Sequence, residues 1–313
     1  MAKRVLVALG GNAIKQPEDK GTFEEQMRNV EIASQQIAQL VKKGYDLVIT
    51  HGNGPQVGNL AIQQEAALDQ VPALPLVALG AMTQGQIGYM MQQSLQNILQ
   101  GSKQVATVVT QVVVSENDPD FGDPTKPVGP FYTEEEAKSF STSRGWIMKK
   151  VKPSGEKAYR RVVPSPIPLR IVESKAIKKL VEAGIIVIAS GGGGIPVLEK
   201  NGKLIGIDAV IDKDRAGARL AKAVEANILM ILTDVDYAMV DYGKPTQRPL
   251  KKLTIAEAKH RLLEGQFGAG SMGPKIEAAI GFVQEGGEKA IITGLGSAVD
   301  AIEGKMGTHI SIK

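Results

Sequence analysis

The stretch VLVALGGN (residues 5–12) is the most informative about the fold class. A short apolar run, rich in branched side chains, ends there in two adjacent glycines. A run of this length is typical of a buried strand, and the glycines predict a tight turn at its end. Similar apolar runs recur along the chain, at residues 47–50, 105–114, 185–189, 228–233 and 290–293.

Helices are predicted between these strands. Residues 23–43 place apolar side chains on one helical stripe and end in two lysines before Gly44, which is typical of a helix terminus. Strands that alternate with helices form βαβ units around a mostly parallel sheet. The sequence therefore predicts an α/β fold. The other predicted helices cover residues 177–183, 216–226, 255–263 and 276–285.

Glycine-rich turns follow three of the predicted strands, at residues 10–12, 51–54 and 190–194. In open α/β sheets, ligands bind in the crevice at the carboxyl ends of the strands. Glycine lets backbone N–H groups approach an anion, and a following helix N-terminus adds a favourable dipole. One such turn can be a plain connection, but three together predict an anion-binding crevice. Its candidate residues are Gly10, Gly11, Asn12, Gly52, Asn53, Gly54, Gly191 and Gly192.

The composition excludes several functional classes. The 313-residue chain has no cysteine, which excludes disulfide scaffolds, cysteine-ligated zinc, iron–sulfur clusters and thiol catalysis. Its 3 histidines are far apart in the sequence, so we expect no metal site built by protein ligands. A formal net charge of +4 is too weak to indicate a nucleic-acid partner. No segment reaches the roughly 18 apolar residues of a membrane helix, so we expect a cytoplasmic protein.

The segment 115–168 differs from the rest of the chain. It holds half of the 16 prolines together with several aromatic residues, including Trp146. Prolines at this density oppose a regular sheet, whereas aromatic residues oppose a disordered linker. We interpret the segment as a small folded lid. Its basic far end would suit phosphates, although a solvated positive surface explains it equally well.

Three lysines occupy constrained positions. Lys213 lies between two acids at the start of a predicted helix. Lys275 lies at another helix start, where its charge opposes the helix dipole unless an anion is bound. Lys126 lies between prolines in the lid. Any one of them alone could be an ordinary surface lysine, but three placed lysines suit phosphoryl transfer, which needs positioning and charge stabilisation.

Other phosphate-binding motifs do not fit the sequence. The G-x-x-x-x-G-K-[ST] motif of P-loop proteins and the protein-kinase motifs are absent. The glycines at residues 52–58 nearly match a dinucleotide fingerprint, but Pro55 interrupts it. An oxidoreductase therefore remains a minor alternative at this point.

Taken together, the motifs resemble those of the carbamate kinases, a group within the amino acid kinase family. The resemblance runs essentially from end to end, from the first glycine turn to residues 307–308. Its most specific parts are THGNGPQVG (50–58), NDP (117–119), PTKPVG (124–129), VVPSP (162–166), AVIDKD (209–214) and GSMGPK (270–275).

The resemblance implies a three-layer α/β/α sandwich with a mostly parallel central sheet and a small protruding lid. Residues 1–195 would form an acceptor-binding lobe that contains the lid, and residues 196–313 a nucleotide-binding lobe. The implied reaction is reversible phosphoryl transfer between ATP and carbamate, with ADP and carbamoyl phosphate as products. Mg²⁺ would be held mainly through the nucleotide phosphates. A homodimer and a place in arginine metabolism are also implied.

The resemblance also implies roles for individual residues. Lys213 and Lys275 would handle the phosphates, Asp214 would organise them, and Lys126 would act from the lid. Ala8 stands where several sister kinases have a lysine, which favours carbamate as the acceptor. The candidate nucleotide-binding residues are Asp234, Tyr242, Met272 and Gly273.

Some alternatives remain open from the sequence. A kinase of the same fold acting on another small carboxylate and a non-catalytic nucleotide-responsive regulator share most of these features. Residues 151–159 depart from the pattern of the carbamate kinases, which leaves the contacts of the lid open. Residues 81–98 could contribute to a dimer interface or form a buried core helix.

Overall fold

The computed structural model describes residues 2–268 and 270–313, except for the side chain of Asn12. The strands of this part of the chain are β1 (Arg4–Leu9), β2 (Asp46–His51), β3 (Val105–Val108), β4 (Gln111–Val113), β5 (Lys126–Tyr132), β6 (Met148–Lys150), β7 (Tyr159–Val163), β8 (Arg170–Ile171), β9 (Ile186–Ala189), β10 (Ile195–Lys200), β11 (Lys203–Gly206), β12 (Ile228–Thr233), β13 (Ala238–Val240), β14 (Arg248–Leu250), β15 (Lys252–Thr254), β16 (Lys289–Gly294) and β17 (Thr308–Ser311). The α-helices are α1 (Phe23–Lys42), α2 (Gly54–Ala66), α3 (Leu76–Leu99), α4 (Glu134–Arg144), α5 (Ser174–Glu182), α6 (Lys213–Ala223), α7 (Ile255–Leu263), α8 (Met272–Gln284) and α9 (Ala298–Ile302).

Eight strands form the central sheet, in the order β15-β17-β16-β12-β1-β2-β9-β3. All neighbouring pairs are parallel except β16 and β17. β1 lies in the interior of the sheet, with Val5 opposite Ile228 of β12 on one side and Leu47 of β2 on the other. The predicted mostly parallel α/β sheet is confirmed.

The two faces of this sheet bury separate apolar cores. Side chains alternate along a strand, so Leu6 and Ala8 of β1 face one core, and Val7 faces the other. Helices α5, α6, α7 and α8 cover the first core, and α1, α3 and α9 cover the second. Both faces of β1 are therefore covered, which explains its unbroken apolar run. The arrangement confirms the predicted three-layer α/β/α sandwich.

The apolar run 105–114 does not form one strand, which corrects the prediction for this segment. β3 pairs with β9 in the central sheet, whereas β4 pairs with β10 and β8 in a separate four-stranded sheet. The chain changes sheets at Thr110, whose backbone N–H donates to Oε1 of Gln84 at 2.8 Å. A side chain from α3 thus takes the place of a neighbouring strand as the hydrogen-bond partner of Thr110. The residues of the run give no local signal for this change of sheet.

Helix α3 contains residues 81–98, for which the sequence left open a buried core helix and a dimer interface. Ile87, Met90 and Met91 are fully buried in the second core, so most of the apolar side of the helix is core. Met82 and Tyr89 are about half exposed on its outer side.

Of the helices in residues 2–268 and 270–313, none combines the length and apolarity needed to cross a membrane.

The predicted lid folds as a small unit with its own sheet. Strands β5, β7 and β6 form a three-stranded antiparallel sheet, which α4 accompanies. Tyr132, Phe140 and Trp146 form its core, with ring centroids 5.0 and 5.6 Å apart. The aromatic residues of the proline-rich segment thus supply the core of the lid. The small protruding subdomain expected from the sequence is present.

Candidate functional site

The three predicted glycine-rich turns meet at one edge of the central sheet. They follow β1, β2 and β9, which are consecutive in the sheet, so their carboxyl ends share this edge. A Cβ atom on Gly52 would lie 3.2 Å from the backbone nitrogen of Gly11. A Cβ on Gly192, whose φ is 65°, would lie 2.2 Å from Nδ2 of Asn53. The turns pack directly against one another, so a side chain at Gly192 would clash with Asn53, and one at Gly52 would require Gly11 to shift.

His51 lies beneath two of these turns. Its ring is buried, and Nδ1 donates to the carbonyl oxygen of Gly52 at 2.9 Å. A Cβ on Gly191 would lie 2.3 Å from Nε2, so Gly191 packs on the ring. Burial lowers the pKa of His51 to about 4, the bond to Gly52 opposes this, and the charge of Lys213 adds to the decrease. His51 is therefore neutral near pH 7 and supports the Gly52 turn.

A buried cluster of two lysines and one aspartate lies beside the turns. Nζ of Lys213 is 2.5 Å from Oδ1 of Asp214, and Nζ of Lys275 is 2.9 Å from Oδ2. The Asp214 side chain is 3% exposed, and each lysine side chain is 14% exposed. One carboxylate therefore orients both ammonium groups.

Two helices bring this cluster together. α6 begins at Lys213, because the side chain of Asp212 caps it by accepting from the N–H groups of Asp214 at 2.9 Å and Arg215 at 3.2 Å. α8 carries Lys275 and packs against α6 on the same face of the sheet. Because Lys213 and Asp214 occupy the first turn of α6 and Lys275 the first turn of α8, the pairing places all three at the edge of the turns.

The electrostatics of the cluster favour an anion. Burial lowers the pKa of Lys213, and the carboxylate of Asp214 opposes that change. Burial by itself would raise the pKa of Asp214, but Lys213 and Lys275 hold it below its ordinary value. With all three groups charged, two positive charges face one negative charge. The remaining positive charge attracts a group such as a phosphate.

A cavity of about 560 Å³ opens on one side of the cluster. Its walls include the predicted residues Gly10, Gly11, Lys213, Lys275 and Asp234. Sequence reasoning missed the turn after β16, although its Gly-x-Gly follows an apolar run as the other turns do. The lining residues that the sequence did not suggest include Thr233, Gly294, Leu295 and Gly296, whereas Gly270 and Ser271 belong to the GSMGPK stretch (270–275).

A second cavity of about 470 Å³ lies between the turns and the lid. Asn53, Gly54 and Gly192 line it from the sheet side, and Lys126 and Arg160 line it from the lid. Nζ of Lys126 is 3.6 Å from Oδ2 of Asp212, the residue that caps α6. The lid thus brings the charge of Lys126 next to the cluster. Arg160 was not a candidate from the sequence.

Other predicted residues lie outside the two cavities. Tyr242 is 73% exposed in the loop between β13 and β14. Met272 packs against the first core, and Gly273 is buried, with the carbonyl oxygen of Gly268 3.1 Å from the position of a Cβ. The side chain of Asn12 lies outside the described part of the structure. Of the four predicted nucleotide-binding residues, Asp234 alone lines the larger cavity.

Metal ligands are scarce in this site. Within residues 2–268 and 270–313, no three His, Asp or Glu side chains are grouped as a metal site. Both carboxylate oxygens of Asp214 already accept from ammonium groups. The donor set fits a metal that arrives with phosphate oxygens better than one held by the protein.

Comparison with known proteins identifies the family of the chain. The profile of the Amino acid kinase family matches residues 3–294. The carbamate kinase of Thermococcus kodakarensis is 54% identical over 98% of this chain and 99% of its own. That of Pyrococcus furiosus is 52% identical over 99% of both chains. The structure of carbamate kinase from Giardia lamblia bound to AMP-PNP covers 99% of this chain and 98% of its own, at a TM-score of 0.94 and 46% identity. The chain therefore belongs to the amino acid kinase family.

Proposed function

We propose that the chain catalyses reversible phosphoryl transfer between ATP and carbamate, with ADP and carbamoyl phosphate as the products. Relatives that are 52% and 54% identical over nearly the whole chain carry the name carbamate kinase. A third, 46% identical, was solved with AMP-PNP bound. The observation that carries the proposal is the buried cluster in which Asp214 orients Lys213 and Lys275, both of which line the 560 Å³ cavity.

The two cavities have different linings, which supports separate binding sites for the nucleotide and the acceptor. The 560 Å³ cavity, lined mainly by residues after position 195, would hold the nucleotide. The 470 Å³ cavity, lined mainly by earlier residues and the lid, would hold the acceptor. This supports the proposed lobes, residues 1–195 and 196–313, although the central sheet runs through both. Lys213 and Lys275, which line the nucleotide cavity, would contact the phosphoryl group that is transferred.

The proposed step needs charge stabilisation rather than a base. A carbamate oxygen attacks the γ-phosphorus of ATP, and a new P–O bond forms. The bond from this phosphorus to the β,γ-bridging oxygen breaks, and its electron pair remains on ADP. Carbamate is already an anion, so no proton has to be removed. Lys213 and Lys275 would stabilise the charge that develops on the phosphoryl oxygens, and Lys126 would add a charge from the lid.

Mg²⁺ would enter as part of the nucleotide substrate. Asp214 has no free carboxylate oxygen for it, since both oxygens bind lysines. The exposed Asp234 lines the nucleotide cavity and is the nearest candidate for an outer contact. Mg²⁺ bound to the phosphates would neutralise part of their charge.

The assignment of the acceptor has a direct test. ATP formation from ADP should be measured with carbamoyl phosphate, acetyl phosphate and acetylglutamyl phosphate. We expect carbamoyl phosphate to be at least roughly 100-fold better in kcat/KM, equivalent to about 2.7 kcal/mol in transition-state binding. Comparable rates with acetylglutamyl phosphate would overturn carbamate as the acceptor and leave the kinase chemistry intact.

A homodimer is also proposed. The outer side of α3 exposes Met82 by 43% and Tyr89 by 53%, and α1, which packs on α3, exposes Phe23 and Ile32. Exposed large apolar side chains on a two-helix layer are typical of a protein–protein contact. Light scattering coupled to gel filtration should give twice the chain mass of 33.3 kDa. A monomer at micromolar concentration would contradict this proposal.

We also propose a cytoplasmic location and a role in arginine metabolism. The resemblance to the carbamate kinases supports the metabolic role, and the lack of a long apolar segment in the sequence supports the location. Fractionation of cells that express the chain, followed by the carbamoyl phosphate assay, would test the location. Activity in the membrane or exported fraction would contradict it.

A further inference from the structure

The antiparallel pair β5–β7 of the lid is interrupted by a bulge. Val128 lies opposite Arg161, and the next pair is Tyr132 opposite Tyr159. Three residues of β5 therefore face one residue of β7, which is Arg160. Extra residues in one strand leave backbone groups without ladder partners and bend the strand. Such bulges need another source of hydrogen bonds to keep one conformation.

Arg160 supplies those hydrogen bonds. Its Nε and Nη2 atoms donate to the carbonyl oxygen of Gly129, at 3.0 and 2.7 Å. The guanidinium carbon lies 5.1 Å from the centroid of the Phe131 ring, a cation–π distance. The backbone of Gly129 has a φ of 70°, which favours glycine at this corner. One side chain thus holds the first and the last residue of the bulge.

The bulge and Lys126 belong to the same strand. Lys126 is the first residue of β5, three positions before Gly129. Pro127 and Pro130 have no N–H group, so they cannot donate to the ladder. The course of this strand therefore depends strongly on side-chain contacts. Arg160 and Lys126 also line the same 470 Å³ cavity, so a shift of the bulge moves a wall of that cavity.

We infer that Arg160 is a positioning residue that fixes the β5 bulge and thereby aims Lys126 at the transferring phosphoryl group. The part that concerns Lys126 and the phosphoryl group rests on the proposed function. The part that concerns the bulge rests only on the contacts of Arg160 with Gly129 and Phe131. The two parts can be tested separately.

The kinetic test uses Arg160→Met, which keeps the stem and removes the donors. A displacement of about 1 Å in a catalytic group can cost roughly 100-fold, so we expect kcat with carbamoyl phosphate to fall at least about tenfold. KM for ADP should stay within about twofold, because Arg160 does not line the nucleotide cavity. Arg160→Lys, which keeps one donor, should be intermediate. An unchanged kcat in Arg160→Met would overturn the inference.

Lys152→Met is the matched control. The ammonium group of Lys152 also lies over the Phe131 ring, 3.7 Å from the centroid, but the residue is exposed. This variant removes a cation from the same ring and leaves both bonds to Gly129. Its kcat should stay within about twofold of the wild type. A loss equal to that of Arg160→Met would assign the effect to the ring contact and overturn the role of the Gly129 bonds.

A double-mutant cycle separates positioning from direct binding. If Arg160 acts through Lys126, Arg160→Met should cost less than about twofold in kcat when it is added to Lys126→Ala. If Arg160 binds the acceptor itself, its full loss should persist in the Lys126→Ala background. Persistence of the full loss would overturn the positioning role.

Hydrogen exchange tests the bulge without any substrate. We expect the amides of residues 126–132 to exchange faster in Arg160→Met and at the wild-type rate in Lys152→Met. Exchange that is unchanged in Arg160→Met would overturn the inference. If the wild-type enzyme does not form ATP from carbamoyl phosphate, the proposed function fails, and the exchange experiment still decides the structural role of Arg160.

Discussion

Asp214 accepts hydrogen bonds from two lysines, one adjacent in the chain and one 61 positions away. Its side chain is almost fully buried, so the carboxylate would be costly there without partners. Two ammonium groups compensate for that cost and leave a net positive charge at the wall of the 560 Å³ cavity. The two lysines and Asp214 thus form a set of oriented charges. Such a set suits a reaction that needs positioning more than covalent chemistry.

Lys213→Met should lower kcat by at least roughly 100-fold, because loss of a preorganised charge donor typically costs about 3–4 kcal/mol. Asp214 keeps Lys275 as a partner in this variant, so the protein should remain folded. Steady-state kinetics with carbamoyl phosphate and ADP measure the effect. Lys222→Met, on the exposed side of the same helix, is the control and should leave kcat nearly unchanged. Near-normal turnover in Lys213→Met would remove Lys213 from the site.

His51 should make stability depend on pH. Its pKa is lowered from 6.5 to about 4 in the folded state, so the unfolded chain binds more protons between these values. Stability is therefore lost as the pH falls from about 6.5 towards 4, by up to about 3 kcal/mol from this residue. Urea unfolding at several pH values should show a flatter profile for His51→Gln than for the wild type. Equal slopes for the two proteins would contradict the buried neutral state.

At the scale of elements, the lid is a separate sheet that is tied to the body of the protein by side chains. The hydroxyl of Tyr132 donates to Oε1 of Glu65 at 2.6 Å, and Arg161 pairs with Asp208 at 2.6 Å. Val128 and Val163 of the lid also share an apolar cluster with residues of α2 and α3, namely Val57, Leu76 and Leu79. These contacts place β5, and with it Lys126, over the 470 Å³ cavity.

Lys126→Ala should reduce turnover and leave ADP binding nearly unchanged. The reason is that Lys126 lines the cavity under the lid and not the one assigned to the nucleotide. Calorimetric titration with ADP alone gives the affinity, and the carbamoyl phosphate assay gives kcat. We expect a loss of at least about tenfold in kcat, with the Kd for ADP within about twofold. An equal loss of ADP affinity would place Lys126 in the nucleotide pocket instead.

At the scale of the whole molecule, one sheet joins the two proposed lobes. β1 pairs with β12 across the proposed boundary at residue 195, and β10, within which that boundary falls, pairs with β4 of the earlier part. Both apolar cores contain residues from before and after position 195. The lobes therefore share their hydrophobic cores.

Thermal unfolding should accordingly show one cooperative transition for the sheet. Differential scanning calorimetry would give equal calorimetric and van't Hoff enthalpies if the lobes unfold together. Trp146 is the single tryptophan and lies in the lid, so its fluorescence reports on the lid separately. Two resolved calorimetric transitions would show that the lobes unfold independently, contrary to this expectation.

Much of the architecture could be predicted from local patterns. The apolar run of β1, the glycine turns after β1, β2 and β9, and the helix that begins at Lys213 all follow from neighbouring residues. Strand burial, turn formation and helix capping depend on a few consecutive side chains, so their signals are visible in the sequence. The resemblance to the carbamate kinases added candidate roles for Lys126, Asp214 and Lys275.

Which of these residues come into contact depends on the packing of elements that are distant in the sequence. The split of the run 105–114 depends on Gln84 from α3, and the pairing of Lys275 with Asp214 depends on the packing of α8 against α6. Arg160 became visible only through the register of β5 against β7. Contacts of this kind join residues tens of positions apart, and their energy depends on sheet order and helix packing. Neighbouring residues thus specify the strands, turns and helix ends, whereas long-range packing specifies how these elements assemble into one site.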